Sequence, residues 1–322
     1  MSEPNVFVLV LSYNGIKWLK DCLPSIFDMD YQNFETVVID NGSSDGTQDF
    51  LREFFPQVQV IALQQNRGYA GGFNAGLEYA AQRDAEYFLI MNNDVEIDTH
   101  ALSALVEVAK TDVKAGFVTG KVYYFDRRDV IQTVGRREDP ITWAGTHIGA
   151  DEKDIGQYDQ IKERLFADDI YTLVSRKMYD EIGGYDPQFF LHCEEFDWQL
   201  RAKKAGWKIF YTPQARLWHR GSATTGGAGS PINNYFLERS RMIVIAKHGN
   251  RNRLSRYFFW SMTQALYRLA GSVLHLNKIT LKARLARIFG LLSGLCWLFH
   301  RKPATSVPWS IEQLSRDLVQ TR

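Results

Sequence analysis

The sequence predicts an α/β fold on a mostly parallel central sheet, and three observations carry that prediction. Four short apolar runs follow one another early in the chain, at residues 6–11, 36–40, 58–63 and 87–91, the first three rich in β-branched side chains. Stretches with helical spacing separate them, at 18–27, 47–55 and 72–83, and another follows the fourth run at 101–109. Each run ends in a polar or Gly-containing turn. Runs without polar alternation belong to strands buried on both faces, and strands that alternate with helices join through parallel crossovers.

Beyond Gly116 the rhythm changes. Strand-like runs at 117–125 and 170–175 flank a charged, loop-rich stretch around 127–163. A helix at 194–205 precedes a short strand at 208–211. The Gly-rich residues 222–230 read as a mobile loop, because glycine permits many backbone conformations. From 233 to 298 the pattern is mainly helical. The expected organisation is an α/β domain over residues 1–225 and a basic, mainly helical C-terminal extension over 226–322.

Composition narrows the class. A chain of 322 residues accommodates one large domain and a smaller unit. Its 45% apolar and 23% charged residues are those of a globular protein, not of a disordered one. Cys22, Cys193 and Cys296 are too widely spaced for a disulfide framework or a metal cluster, which suits a reducing, cytoplasmic setting. The N-terminus lacks the basic region and cleavage site of a signal peptide. The net charge of +1 hides an asymmetry: between Arg239 and Ile311 there are thirteen Lys/Arg and no Asp or Glu. That segment is suited to an anionic partner.

In an open parallel sheet, ligands bind beyond the C-terminal strand ends. Four polar clusters occupy that rim here: Ser12-Tyr13-Asn14-Gly15, the run from Asp40 to Gly46, the run from Asn66 to Asn74, and Asn92-Asn93-Asp94. A structural turn needs one or two such residues, so four clusters argue for a site.

The ordered motifs VLSYNG, VVIDNGSSDGT, NRGYAGGFNAG, LIMNNDVEID, GGYDPQFFLHCEEFDWQLRAKKAGW and WHRGSATTG resemble the family-2 inverting glycosyltransferases. The likeness covers about residues 5–225 and is closest to their rhamnosyltransferase-like branch. It implies the GT-A fold of nucleotide-diphospho-sugar transferases and a nucleotide-sugar donor such as dTDP-rhamnose or a UDP-sugar. It also implies that Ser12 and Asn14 line the base and ribose pocket and that Asp40 pairs with the pyrimidine ring N–H, a donor that a carboxylate accepts well. Asn66, Arg67, Gly68, Asn92 and Asn93 complete the donor side. Glycines 68 to 72 are expected to let a diphosphate or sugar approach the backbone, beside a helix N-terminus that favours anions. Arg67 pairs either with a phosphate or with an internal acid.

The metal motif departs from the family's Asp-x-Asp, with Asn92 and Asp94 at the two positions. One carboxylate plus diphosphate oxygens suffices for a hard divalent cation. The resemblance adds His219 as a ligand, which favours Mn2+ over Mg2+. Inverting transfer needs one base to deprotonate the acceptor hydroxyl. Among Glu194, Glu195 and Asp197, the family pattern places that base at Glu195. Asp197 and Arg201 have the i,i+4 spacing of a helix-face pair. Acids in a first helical turn also arise for the helix dipole alone.

The C-terminal segment has an apolar run at 288–299, too short to cross a membrane. Residues 281–288 combine a basic and an apolar face. They fit either a helix lying in a membrane interface, anchored by Trp297 and Phe299, or one packed on the α/β domain with its bases in solvent. The first reading suits a glycan or polyprenyl-linked acceptor at the inner face of the plasma membrane, in cell-surface polysaccharide synthesis. Nucleic acid is not an expected partner, since no recognition motif accompanies the charge. The alternative to an enzyme is a catalytically degenerate nucleotide-sugar binder, which Asn92 would suit.

Overall fold

The computed structural model describes residues 3–143, 145–221, 229–274, 278–303, 306–308 and 310–312. The chain opens with β1 (Val6–Ser12), α1 (Ile16–Phe27), β2 (Phe34–Asp40), α2 (Thr47–Phe54), β3 (Gln59–Ala62), α3 (Gly68–Ala81) and β4 (Tyr87–Asn92). Next come β5 (Val95–Ile97), α4 (Ala101–Ala109), β6 (Ala115–Tyr124), β7 (Ile131–Thr133), β8 (Lys162–Glu163) and β9 (Tyr171–Ser175). It closes with α5 (Arg176–Ile182), α6 (Glu194–Lys204), β10 (Lys208–His219), α7 (Pro231–His248), α8 (Arg251–Leu274) and α9 (Lys278–His300).

One sheet runs β3-β2-β1-β4-β9-β6-β10-β5. Its first four strands are parallel. β9 then runs antiparallel to both β4 and β6, β10 is parallel to β6, and β5 closes the row antiparallel. The sheet is therefore mixed beyond its parallel N-terminal half. Burial on both faces explains the continuous apolar runs of β1, β2 and β4, whereas β3 at the sheet edge is only partly buried. In β1, Phe7 and Leu9 join one hydrophobic cluster with α3 and α6, while Val6, Val8 and Val10 join the opposite one with α1 and α4.

Two departures from the expected elements bear on the site. The third helix starts at Gly68, not at residue 72, so the Gly-rich stretch forms its first turn. The last strand does not stop at residue 211 but continues to His219. Pro213 reads as a strand breaker because it lacks a donor, yet a register shift between Thr212 and Arg216 absorbs it. The expected mobile loop at 222–230 lies outside the described residues, apart from Gly229 and Ser230. Ser230 caps α7, its hydroxyl accepting from the Asn233 amide at 3.1 Å, with Pro231 at the first helical position.

Candidate functional site

The polar clusters gather on the rim formed by the C-terminal ends of β1, β2 and β4. Ser12 ends β1 and is buried; the Asn93 amide donates to its hydroxyl at 3.0 Å. Gly15 makes that contact fit, since a Cβ there would stand 2.1 Å from the Asn93 amide nitrogen. Asn14 adopts a left-handed backbone, φ 50°, and its side-chain oxygen accepts from the Ser44 amide at 2.8 Å. Asp40 is fully buried at the end of β2, where it accepts from the Ser43 amide at 3.0 Å and the Gln48 side chain at 2.7 Å.

Asn41, which the motif reading gave no role, holds the next segment. Its oxygen accepts from the Arg67 amide at 2.9 Å, and its nitrogen donates to Asn66 Oδ1 and the Gly68 carbonyl. Arg67 itself is exposed and makes no ion pair among the described residues. The internal-acid option for it is therefore not realised there. Gly68 departs from expectation. It has φ +73°, and a Cβ on it would lie 2.1 Å from the Phe190 carbonyl oxygen. Tyr69 donates its amide to that same oxygen at 2.7 Å. A Cβ on Gly72 would likewise meet Leu11 at 2.4 Å. The close approach at Gly68 and Gly72 is made by the protein's own chain.

The metal candidates also meet. Asp94 follows β4, His219 ends β10, and both are buried. His219 Nε2 lies 3.3 Å from Asp94 Oδ1, while its Nδ1 lies 2.9 Å from Gln132 Oε1 on β7. The tautomer that carries its proton on Nδ1, donating to Gln132, would turn the Nε2 lone pair toward the Asp94 carboxylate. An imidazole nitrogen and a carboxylate, both on buried residues, make a donor set that fits a divalent cation. Asn92 lies on the same rim, its side-chain oxygen 3.3 Å from the Tyr69 hydroxyl.

The third part of the site surrounds Glu195. Ligand atoms of Asp169, Glu194 and Glu195 lie within 4.8 Å of one another. Asp169 was not singled out from the sequence, although two adjacent acids before a buried strand were a usable signal. Glu194 Oε2 and Asp169 Oδ2 are buried without a hydrogen-bond partner. Burial raises the Glu195 carboxyl above its ordinary value, and the Arg136 guanidinium opposes the rise. Burial and the Glu195 charge push Glu194 and Asp169 up further. Three crowded, desolvated carboxylates hold protons at neutral pH more readily than isolated ones. Arg136 donates to Asp168, which also accepts from Thr133 at 2.5 Å. Residues 132 to 136 thus reach both His219, through Gln132, and Asp168 next to the acidic cluster, through Arg136. The Tyr69 hydroxyl, 2.7 Å from the Asp169 carbonyl, links the cluster to Asn92.

The acidic turn is held from α7. His192 and Cys193, both left-handed, lead into α6. His192 is half-buried, desolvation pushes its pKa down to about 4, and its Nε2 lies 3.2 Å from Asn233 Oδ1. Asp197 is fully buried; it pairs with Arg201 at 2.9 Å, as the spacing implied, and with Lys247 at 2.5 Å and His248 at 2.8 Å. These partners hold its carboxyl far below the ordinary range.

The C-terminal helices correct the anchor assignment. Trp297 is buried and donates to Gln188 at 2.7 Å, so it is no surface anchor, whereas Phe299 is 78% exposed. Arg287 turns inward to Glu238 at 2.7 Å instead of lining a basic outer face.

The fold and this rim have the arrangement expected of a sugar-nucleotide transferase. The family model for glycosyl transferase family 2 matches residues 7–183. The chain belongs to that family. A poly-beta-1,6-N-acetyl-D-glucosamine synthase of Staphylococcus epidermidis is 25% identical over 221 residues, 68% of this chain and 50% of the relative. A Staphylococcus aureus synthase of the same name is 25% identical over 224 residues, with the same coverage. The chain spans about half the length of these curated relatives. Among solved structures, a mannosyltransferase of Pyrobaculum calidifontis in complex with GDP-Man and Mn2+ superposes with a TM-score of 0.57 at 15% identity, covering 92% of this chain and 88% of the other. GalNAc-T7 with UDP, GalNAc and Mn2+ gives 0.62 at 13% identity, covering 99% and 58%. These two likenesses establish the GT-A fold.

Proposed function

We propose that this protein is an inverting glycosyltransferase that moves a sugar from a nucleoside-diphosphate donor to a glycan or polyprenyl-linked acceptor in cell-surface polysaccharide synthesis. The donor is dTDP-rhamnose or a UDP-sugar. The observation that carries the reading is the acidic cluster: Glu195 is buried with a raised proton affinity beside Asp169, whose carbonyl accepts from the Tyr69 hydroxyl that also meets Asn92 at the end of β4. A carboxylate tuned upward is a stronger base than an exposed one, which suits removal of a proton from an acceptor hydroxyl.

In this reading Asp40, Ser12 and Asn14 hold the nucleoside, and Asn66, Arg67, Asn92 and Asn93 line the path to the diphosphate. Gly68 contributes by seating α3 against Phe190. Asp94 and His219 would hold a divalent cation, Mn2+ or Mg2+, which would neutralise the departing diphosphate. Glu195 takes the proton from the acceptor oxygen as that oxygen displaces the diphosphate at the anomeric carbon. Arg136 and Asp169 set the charge around the base. The metal and nucleotide sugars named for the two structural neighbours, and the polysaccharide named for the curated relatives, support this assignment. The cytoplasmic, inner-membrane setting and the rhamnosyl preference belong to the same proposal.

Asn92 in place of an acid favours one other reading, a binder without turnover. A thermal-shift panel of nucleotide sugars with and without Mn2+ identifies the donor, because a ligand of the native state raises its stability. Transfer or donor hydrolysis that survives Glu195→Gln at full rate would remove Glu195 as the base. Binding without turnover in the wild type would favour the binder.

A further inference from the structure

We propose that the outer face of α8 is a docking surface for an anionic lipid bilayer. Among the described residues twelve large apolar side chains are exposed, and seven of them lie on α8 and α9. On α8 they are Phe259, Trp260, Leu266 and Tyr267, exposed by 68, 53, 52 and 78%. Scattered apolar residues on a surface need no explanation, but a stripe of aromatic ones on one helix does.

The helix is fixed in orientation. On its inner side Tyr257 and Ser261 are fully buried, and their hydroxyls donate to Glu238 on α7 at 2.6 and 2.9 Å. Ala265, one turn further on, is buried too. At about 100° per residue, positions 259, 263 and 266 point away from that inner side. The aromatic stripe therefore faces outward because the opposite side is tied down by a buried carboxylate.

Charge selects the occupant. Neither α8 nor α9 contains an Asp or Glu. Arg256 is exposed within the stripe, and Arg251 and Arg268 are exposed near its ends. Aromatic side chains bordered by Arg on an in-plane helix match the interface of a bilayer with anionic headgroups. No helix among the described residues is long and apolar enough to cross a membrane, so the contact is a surface one. On α9, Phe289, Leu292 and Phe299 form a second exposed stripe. The sequence pattern pointed instead to residues 281–288, where Arg287 turns inward.

The surface has a direct route to the chemistry. Two residues separate α8 from α7, and α7 holds both sides of the Glu195 turn through Asn233–His192 and His248–Asp197. A bilayer held by α8 would orient the acidic cluster toward an acceptor carried on a lipid. This use of the surface rests on the transferase reading; the surface itself does not.

The test is co-sedimentation of the full chain with phosphatidylcholine vesicles, with and without phosphatidylglycerol. The wild type is expected to bind the phosphatidylglycerol vesicles and to release as salt is raised. F259S/W260S and, separately, the charge reversal R256E are expected to lose about tenfold or more in partitioning while keeping donor hydrolysis. R256E alters only an exposed side chain, so it reports binding even where the double variant loses stability. Indifference of the wild type to phosphatidylglycerol, or unchanged partitioning of both variants, overturns the proposal. So does a wild-type dimer that F259S/W260S converts to monomer, which would make this face a contact between copies. Failed donor turnover with intact vesicle binding would overturn the transferase reading alone.

Discussion

Gly68→Ala separates two roles for the Gly-rich turn. If its glycines serve ligand approach, the substitution harms nucleotide binding and leaves the fold alone. The geometry demands the opposite order. An alanine at φ +73° carries a left-handed penalty of about 1–2 kcal/mol. Its Cβ would also lie 2.1 Å from the Phe190 carbonyl oxygen, so backbone must move by roughly 1 Å to restore contact distance. Overpacking of that kind costs about 1–3 kcal/mol. The combined loss of about 2–5 kcal/mol is a large share of the roughly 5–15 kcal/mol that holds a protein folded. Urea unfolding of the nucleotide-free protein, followed by far-UV circular dichroism, should show a lower midpoint with an unchanged slope. A wild-type midpoint combined with lost nucleotide affinity would refute the packing argument and restore the ligand-approach role.

Three further outcomes follow from the site. Arg136→Gln removes the cation that opposes the rise in Glu195 proton affinity; in the proposed mechanism Glu195 works only when ionised, so the acidic limb of the pH–rate profile should move to higher pH. A profile that stays in place while stability falls would make Arg136 structural only. Gln132→Ala frees the His219 ring, and Mn2+ affinity, read by electron paramagnetic resonance, should drop roughly 10–100-fold, with Gln132→Glu retaining most of it. Asp197→Asn removes one carboxylate from Arg201, Lys247 and His248 and should cost about 3 kcal/mol at neutral pH by chemical denaturation. Because the folded-state pKa of Asp197 is depressed, its contribution is complete above the unfolded carboxylate value and is lost as pH falls below it; the gap between wild type and variant should therefore narrow in acid.

Much of the candidate site was legible because local chemistry recorded it. A strand buried on both faces must be apolar throughout, so β1, β2 and β4 announced themselves and their ends marked the rim. Ser12, Asn14, Asp40, Asn92, Asn93 and Asp94 lie within a few residues of those ends, and Glu195 lies in the first turn of α6. Strand order, the meeting of Asp94 with His219 and the placement of Asp169 beside Glu195 depend on pairings between distant segments. No local pattern encodes them. Gln132 and Arg136 sit in a loop-rich stretch whose role appears only once β7 pairs with β6.

The amino-acid pattern by itself determined the α/β class, the family and the acids and amides available for chemistry. Periodicity and ordered motifs are properties of neighbouring residues. Tertiary structure alone decided which polar groups are stripped of water together, and therefore which carboxylates have a raised proton affinity. It also decided that Gly68 faces Phe190, that Trp297 and Arg287 point inward, and that the aromatic stripe of α8 points out. Burial and charge proximity are set by packing across the whole chain, and they give the same residue types different work.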